Sequence, residues 1–196
     1  MATEKLEFKV IYEDYMPQIV SYFSRLVGDA DAEDLAQETF VKVDRGLENF
    51  RGDSKVSTWI YSIATNVARD RFRKTTGSRE QSESSISENG IETEDENVWT
   101  GEKARDVEGQ VLRKEMNTCI RSFIDDLPED YREVLVLMDL EGFKQKEIAD
   151  ILGISLENVK IRLHRGRVAL RGELQTGCSF HRDEENELGC ELKSDE

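Results

Sequence analysis

Apolar residues recur at intervals of three and four along two stretches of the chain, Glu7–Lys74 and Gln110–Leu174. This spacing gathers apolar side chains on one face of a helix. The first stretch has neither the alternation of a strand nor the turn dipeptides of a hairpin. The whole chain contains two prolines, which is permissive for long helices. The pattern therefore predicts an all-α protein built from two small helical domains.

The segment between the two stretches is polar, acidic and poor in aliphatic residues. Such a composition cannot bury enough apolar surface to offset the entropy of ordering. We expect a disordered acidic linker over residues 75–109, between a first domain at 1–74 and a second at 110–174. A short acidic tail, residues 175–196, follows the second domain.

Charge is distributed unevenly along the 196 residues, whose formal net charge is −15. The segment Ser155–Gly172 has five Lys or Arg residues against one acidic residue, whereas Glu173–Glu196 has two against eight. Local charge decides phosphate binding, so the acidic total does not exclude a nucleic-acid partner.

The segment KQKEIADILGISLENVKIRLHRGRVALR has the spacing of a helix-turn-helix. Ala149 is small enough for two helices to cross, Gly153 suits a left-handed turn, and Val159 can pack into the angle between the helices. Ser155 is a suitable N-cap for the second helix. Lys160, Arg162, Arg165 and other basic residues give that helix a surface for the major groove and phosphates. The alternative is a basic amphipathic helix that packs on a protein partner.

The first domain contains two polar surfaces at helical spacing. In DAEDLAQETFVKV, Asp31 can cap a helix that places Asp34, Gln37 and Glu38 on one polar face. That face is either a docking surface or an ordinary solvated face. In NFRGDSKVSTWIYSIATNVARDRFRK, a turn at Arg51–Ser54 precedes a helix that we expect Ser57 to cap, and this helix is polar to basic around an apolar stripe. An aromatic-containing loop beside a basic helix suits capture of unstacked single-stranded bases.

Together these motifs resemble the extracytoplasmic-function (ECF) class of bacterial sigma factors. The resemblance rests on Asp34-Leu35-x-Gln37-Glu38-x-Phe40, Phe50-Arg51-Gly52-Asp53-Ser54, Thr58-Trp59-Ile60, Ile63-Ala64-x-Asn66, and Leu127-Pro128 followed by the helix-turn-helix. It implies an RNA polymerase sigma factor, active in a stress or metal response, that binds core polymerase and promoter DNA. An anti-sigma factor is the usual further partner of the class.

The resemblance also implies a role for each surface. Asp34, Gln37 and Glu38 would dock on core polymerase. The −10 promoter element would be bound by Arg51, Lys55, Ser57, Asn66, Arg69 and Arg73, and the −35 element by Asn158, Lys160, Arg162, His164, Arg165 and Arg167. Glu157 departs from the family pattern, and it could either repel phosphate or accept a hydrogen bond from a cytosine amine. The acidic linker would either mimic nucleic acid or serve as a solubilising tether.

The tail contains Cys178, His181 and Cys190 in a C-x2-H-x8-C spacing. Thiolates and imidazole are good ligands for zinc or copper. A redox pair and unused thiols are the alternatives, and no cofactor is required by the resemblance. Cys119 lies beside Ile120 and Phe123 and is expected in a core.

The remaining classes are weakly supported. No phosphate-binding Gly-rich loop, GxSxG or HExxH motif occurs, so we expect no enzymatic activity. No segment has the length and apolarity of a membrane span or signal peptide, and we expect a cytoplasmic protein without membrane insertion. A helix-turn-helix regulator that does not engage polymerase, and a pure metal sensor, are the alternative functions. Neither needs both polar surfaces of the first domain.

Overall fold

The computed structural model describes residues 7–76, 123–182 and 188–192. Residues 77–109 of the predicted linker, Cys119 and the start of the predicted second domain lie outside these ranges, whereas Thr75 and Thr76, expected in the linker, end a helix. The described helices are α1 (Phe8–Val27), α2 (Asp29–Leu47), α3 (Val56–Thr76), α4 (Glu129–Leu135), a π-helical segment (Val136–Leu140), α5 (Gln145–Leu152) and α6 (Leu156–Gly177). The all-α prediction is confirmed for both domains. None of these helices is long and apolar enough to cross a membrane.

The N-terminal domain, α1 to α3, packs around large aromatic and aliphatic side chains. Tyr22, Phe23 and Phe40 are fully or almost fully buried, and Ile60 of α3 joins them. The Tyr22 hydroxyl lies 2.9 Å from the hydroxyl of Thr65, so these two buried polar groups are partners. The apolar face predicted from helical spacing is therefore the face that α3 buries.

Two expected helix caps in this domain are wrong. Gly28 precedes α2 with a φ of 96°, and no side chain caps that helix. Asp31 instead lies inside α2, where its carboxylate accepts from Arg71 at 2.9 Å. Ser57 lies within α3, which begins at Val56. α2 begins at Asp29 and α3 at Val56, so each helix starts before the residue that was expected to cap it.

The C-terminal domain contains the predicted helix-turn-helix, formed by α5 and α6. Gly153 ends α5 with φ 67° and ψ 32°, the left-handed geometry that its lack of a side chain permits. The Ser155 hydroxyl accepts from the backbone N–H of Asn158 at 3.1 Å, which confirms it as the N-cap of α6. Val159 is fully buried between the two helices. Gly153, Ser155 and Val159 therefore have the roles that their spacing predicts.

A glycine sets the close approach of α6 to α4. A Cβ at Gly166 would lie 3.1 Å from Leu135 and 3.2 Å from Tyr131. Gly172, one and a half turns further along α6, has no neighbour within 4 Å. The helix-turn-helix therefore packs on α4 through a contact closer than an ordinary side chain makes.

The tail begins later than expected and has structure. α6 continues to Gly177, past the predicted domain end at Leu174. Two antiparallel strands follow, β1 (Cys178–Arg182) and β2 (Leu188–Leu192). The strands were not predicted, because we expect so acidic a segment not to fold by itself.

The two domains pack on each other. α3 contacts α5, and α1 contacts the π-helical segment. The ring of Tyr61 in α3 meets the ring of Phe143, which precedes α5, edge-on at a centroid distance of 4.7 Å. The buried residues of both domains form one continuous apolar cluster. We call this contact between the domains the interdomain seam.

The Gly166 contact gives a testable expectation for stability. Gly166→Val should lower the free energy of unfolding by about 1–3 kcal/mol, because the added side chain must displace Leu135 and Tyr131. Gly172→Val is the matched control, with the same substitution in the same helix but open space around it. Chemical denaturation of both variants measures the difference, and equal stability would contradict the close packing of α6 on α4.

Candidate polymerase and nucleic-acid interfaces

The polar face of α2 is exposed. Asp34, Gln37 and Glu38 all project from the helix on the side away from buried Leu35 and Phe40. Glu38 forms an i,i+4 ion pair with Lys42 at 3.0 Å. The structure therefore brings the three predicted polymerase-binding residues together on one accessible surface.

The loop before α3 is organised by two aromatic side chains. Gly52 turns the chain with a φ of 76°. Behind the turn, the rings of Phe50 and Trp59 lie 4.8 Å apart, and Trp59 comes within 3.0 Å of a Cβ built at Gly46. This packing fixes the loop on the end of α2. Arg51, at the tip of the loop, is exposed.

The predicted −10 residues on α3 are not equally accessible. Asn66 is exposed, and Arg73 is exposed but pairs with Asp70 on its own helix. Ser57 is half-buried at the start of α3. Lys55 and Arg69, in contrast, contact the C-terminal domain, so the seam uses two of the six predicted residues.

Arg69 makes the most buried polar contact of the seam. Its Nε and Nη2 atoms donate to the two carboxylate oxygens of Glu133 at 2.9 and 2.7 Å. The Glu133 side chain is 1% exposed. Burial raises the pKa of Glu133, and the Arg69 guanidinium opposes this shift. Burial alone would lower the pKa of Arg69, but the hydrogen-bonded Glu133 outweighs it and the pKa is raised. The pair matches the fork geometry that makes Arg–carboxylate contacts strong.

Two further carboxylates of the C-terminal domain reach the N-terminal domain. Glu141 accepts from Arg25 Nη1 and from the Tyr61 hydroxyl, each at 2.6 Å. Glu147 of α5 accepts from Lys55 Nζ at 2.7 Å. The Lys55 ammonium, together with the backbone N–H of Lys144, holds the pKa of Glu147 below its usual range.

The tyrosine of the seam is a donor. Burial, and the hydrogen bond to Glu141, raise the pKa of Tyr61 far above its usual value. Tyr61 therefore stays protonated at neutral pH and donates to the carboxylate.

One cation of the C-terminal domain also contacts the N-terminal domain. Arg132 donates to the backbone carbonyl of Leu26 at 3.1 Å, at the end of α1. A cation at a helix C-terminus is favourable there.

The outer face of α6 remains accessible. Lys160, His164 and Arg165 are exposed, and Asn158 is half-buried near the start of the helix. Glu157 is also exposed on the first turn. The first half of α6 therefore presents hydrogen-bonding and basic side chains in the position from which helix-turn-helix proteins reach base edges.

Two of the predicted −35 residues are engaged within their own domain. Arg162 pairs with Asp130 at 3.2 Å, and its side chain is 18% exposed. Arg167 is half-exposed and donates to Asp139 at 2.8 Å. Arg162 lies about 160° around the helix from Lys160 at 100° per residue. Basic character alone did not distinguish the residue that secures α6 to α4 from those that face outward.

The tail does not gather its three predicted metal ligands on one side. In the pairing of β1 with β2, position 180 faces 190 and position 181 faces 189. Because strand positions alternate between faces, 178 and 190 share one face and 181 lies on the other. No cluster of three candidate ligands occurs among the described residues. Metal binding to the tail by Cys178, His181 and Cys190 stays a prediction.

The sequence interpretation missed the acidic side of the seam. Glu133, Glu141 and Glu147 were not singled out, although Glu133 stands at a helical position among Val134, Leu135 and other apolar residues. A charged residue on an otherwise apolar face indicates a buried ion pair. That pattern could have identified Glu133, but not its partner 64 residues away.

Comparison with known proteins agrees with this geometry. The Sigma-70 region 2 model matches residues 11–77, and the Sigma-70, region 4 model matches residues 117–170. The chain is 31% identical over 175 residues to the ECF RNA polymerase sigma-E factor of Haemophilus influenzae, covering 88% of this chain and 89% of that protein. It is 34% identical over 177 residues to the RNA polymerase sigma-H factor of Pseudomonas aeruginosa, covering 88% of each.

Solved structures share the fold. The sigma factor RpoE of Bartonella quintana, solved with the anti-sigma factor NepR, matches with a TM-score of 0.60 and 22% identity, covering 86% of this chain and 96% of that one. CnrH, solved with the cytosolic domain of CnrY, matches with a TM-score of 0.58 and 24% identity, covering 86% and 88%.

The two helical domains, one of them with a basic helix-turn-helix, define a sigma-70 type transcription initiation factor. The chain belongs to the ECF sigma factors of RNA polymerase, the subunits that bind core polymerase and direct it to promoters.

The different placement of two basic residues on α6 predicts different phenotypes. Lys160→Ala should weaken binding of −35 duplex DNA by about 1–3 kcal/mol, because Lys160 lies on the outward face. Arg162→Ala should instead lower the free energy of unfolding, because it removes the partner of Asp130. It should weaken DNA binding less than Lys160→Ala does. Fluorescence anisotropy and chemical denaturation of the full chain measure both quantities. The reverse pattern would show that the outward face of α6 is misassigned.

Proposed function

We propose that this sigma factor uses three separate surfaces during initiation. The exposed face of α2, with Asp34, Gln37 and Glu38, docks on core polymerase. The loop at Arg51 and the exposed face of α3 around Asn66 bind the non-template strand of the −10 element. The outer face of α6 reads the −35 element. The observation that carries this proposal is the exposure of Asn66 on α3 and of Lys160, His164 and Arg165 on α6.

Each surface fits its target chemically. The α2 face is acidic and amide-bearing and suits a basic protein surface. Asn66 offers both a donor and an acceptor to the edge of an unstacked base. Lys160 and Arg165 can reach phosphate or guanine, and His164 and Asn158 add hydrogen-bonding capacity near the N-terminus of α6.

The wider biological setting follows from the same assignment. The protein acts in the cytoplasm as a non-enzymatic subunit, in a stress or metal response, and an anti-sigma factor is its expected inhibitor. Zinc or copper binding by the tail would add a signal input that acts next to the −35 helix. Cys178 is buried where α6 meets β1, so a metal that involved this thiol would alter the junction between helix and hairpin.

Polymerase docking is tested by reconstitution with core polymerase. Wild-type protein should direct initiation from discrete start sites, and Asp34→Lys/Glu38→Lys should weaken core binding about tenfold or more, since like charges then face the docking surface. Glu13→Lys/Asp14→Lys, which reverses two exposed charges on α1, is the matched control. Equal core affinity for the two variants, with unchanged start sites, would exclude the α2 face as the docking surface.

Promoter melting is tested at Asn66. Asn66→Ala should impair open-complex formation more than closed-complex formation, because the contact exists only with an unpaired base. Permanganate footprinting reports melted thymines, and gel mobility of the same holoenzyme on duplex promoter reports closed binding. If the variant melts promoters as fully as the wild type, the α3 surface does not capture single-stranded DNA.

A further inference from the structure

The ion pairs of the interdomain seam have a common polarity. In the described part of the chain the cation belongs to the N-terminal domain and the carboxylate to the C-terminal domain in three pairs: Arg25–Glu141, Lys55–Glu147 and Arg69–Glu133. Their N–O distances are 2.6, 2.7 and 2.7 Å. The C-terminal domain therefore presents to the N-terminal domain the same charge that a DNA backbone would present.

Two of these cations belong to the surface assigned above to −10 DNA. Lys55 directly precedes α3 and Arg69 lies within it, with Tyr61 between them in the sequence. Both donate to carboxylates of the C-terminal domain. The Nε/Nη2 edge of the Arg69 guanidinium is taken up by its two parallel hydrogen bonds to Glu133, and Nη1 donates to the backbone carbonyl of Leu152 at 3.4 Å. While the seam is closed, a DNA phosphate would have to compete with Glu147 for Lys55 and with Glu133 for Arg69.

The other DNA-binding surface is not covered by the seam. Lys160, His164 and Arg165 are exposed on α6, whereas α5 is the helix that lies against α3. Closure therefore obstructs one of the two promoter contacts and leaves the second accessible. Asn66 also stays exposed, so the obstruction acts through the basic residues beside it.

The seam is incompletely packed at one edge. A cleft of about 260 Å³ opens there, lined by residues of both domains that include Lys55, Ser57, Tyr61, Glu141 and Glu147. The Lys55 side chain is 72% exposed in its ion pair. Exposed pairs are individually weak and are screened by salt, which makes this edge the natural starting point of opening.

We propose that the closed seam is an autoinhibited state of the free protein, in which carboxylates of the C-terminal domain occupy the −10 surface in place of DNA phosphates. The inference rests on the proposed role of α3. Opening of the seam frees Lys55 and Arg69 for the non-template strand. Because binding through these residues then requires the open state, the apparent affinity for −10 DNA equals the intrinsic affinity multiplied by the fraction of molecules that are open.

A pair of charge-neutral variants tests the affinity consequence. Glu141→Gln/Glu147→Gln keeps the shape of the seam but weakens its ion pairs. The matched control, Asp126→Asn/Asp150→Asn, removes two exposed carboxylates of the same domain that take part in none of the three seam ion pairs. The probe is a single-stranded oligonucleotide with the non-template −10 sequence of a promoter mapped by the reconstitution experiment. The seam variant should bind it about three- to tenfold more tightly than the wild type, and the control should not.

Closure itself is tested on the wild-type chain by zero-length carbodiimide coupling. The reagent joins Lys55 Nζ to the Glu147 carboxyl carbon as an amide, and the displaced oxygen leaves in the urea by-product. Mass spectrometry should detect the Lys55–Glu147 peptide, and it should be absent from Lys55→Arg, whose guanidinium keeps the charge but does not couple. Circular dichroism melts check that every variant is folded.

The outcomes distinguish failure of autoinhibition from failure of the −10 assignment of α3. Failure to detect the crosslink, or equal −10 affinity in the seam variant and the wild type, overturns autoinhibition. If Asn66→Ala binds the oligonucleotide as well as the wild type, the assignment of α3 to the −10 element fails and autoinhibition fails with it. A loss of affinity for Asn66→Ala without a gain for the seam variant rejects autoinhibition alone.

Discussion

The buried ion pair between Arg69 and Glu133 is the contact on which the arrangement of this sigma factor depends. It joins α3 to α4 through two hydrogen bonds, at a carboxylate that is almost inaccessible to solvent. Loss of one partner would leave the other charge buried without compensation, which costs about 3–5 kcal/mol. The packing of Tyr61 on Phe143 and the contacts of Glu141 and Glu147 are arranged around the same interface.

Under the proposed function this arrangement links stability to DNA binding, since Lys55 and Arg69 pair with carboxylates in the seam and would contact phosphates when the seam opens. Arginine and lysine on α3 suit a carboxylate as well as they suit a phosphate, because both are compact anions with several acceptor oxygens. The exposed polar residues of α2 and α6 lie outside the seam and have no such competition there: Asp34, Gln37, Glu38, Lys160, His164 and Arg165.

The sequence was sufficient for the parts of the structure that depend on local rules. Helical periodicity identified the two all-α domains, and the spacing of Ala149, Gly153, Ser155 and Val159 identified the helix-turn-helix with its cap and turn. It did not distinguish Arg162 from Lys160, because the difference comes from Asp130 on another helix. Nor did it predict the strands of the tail. The domain contact was not predicted because its ion pairs join residues 64 to 116 positions apart in the chain.

The central claim is that Arg69 and Glu133 interact directly and thereby hold the two domains together. A double-mutant cycle tests it, with Arg69→Met, Glu133→Gln and the combined variant compared with wild type by chemical denaturation of the full chain. We expect a coupling energy of about 1–3 kcal/mol, because each single change leaves a buried partner unsatisfied. Additive effects, within about 0.5 kcal/mol, would contradict the interaction and with it the closed arrangement.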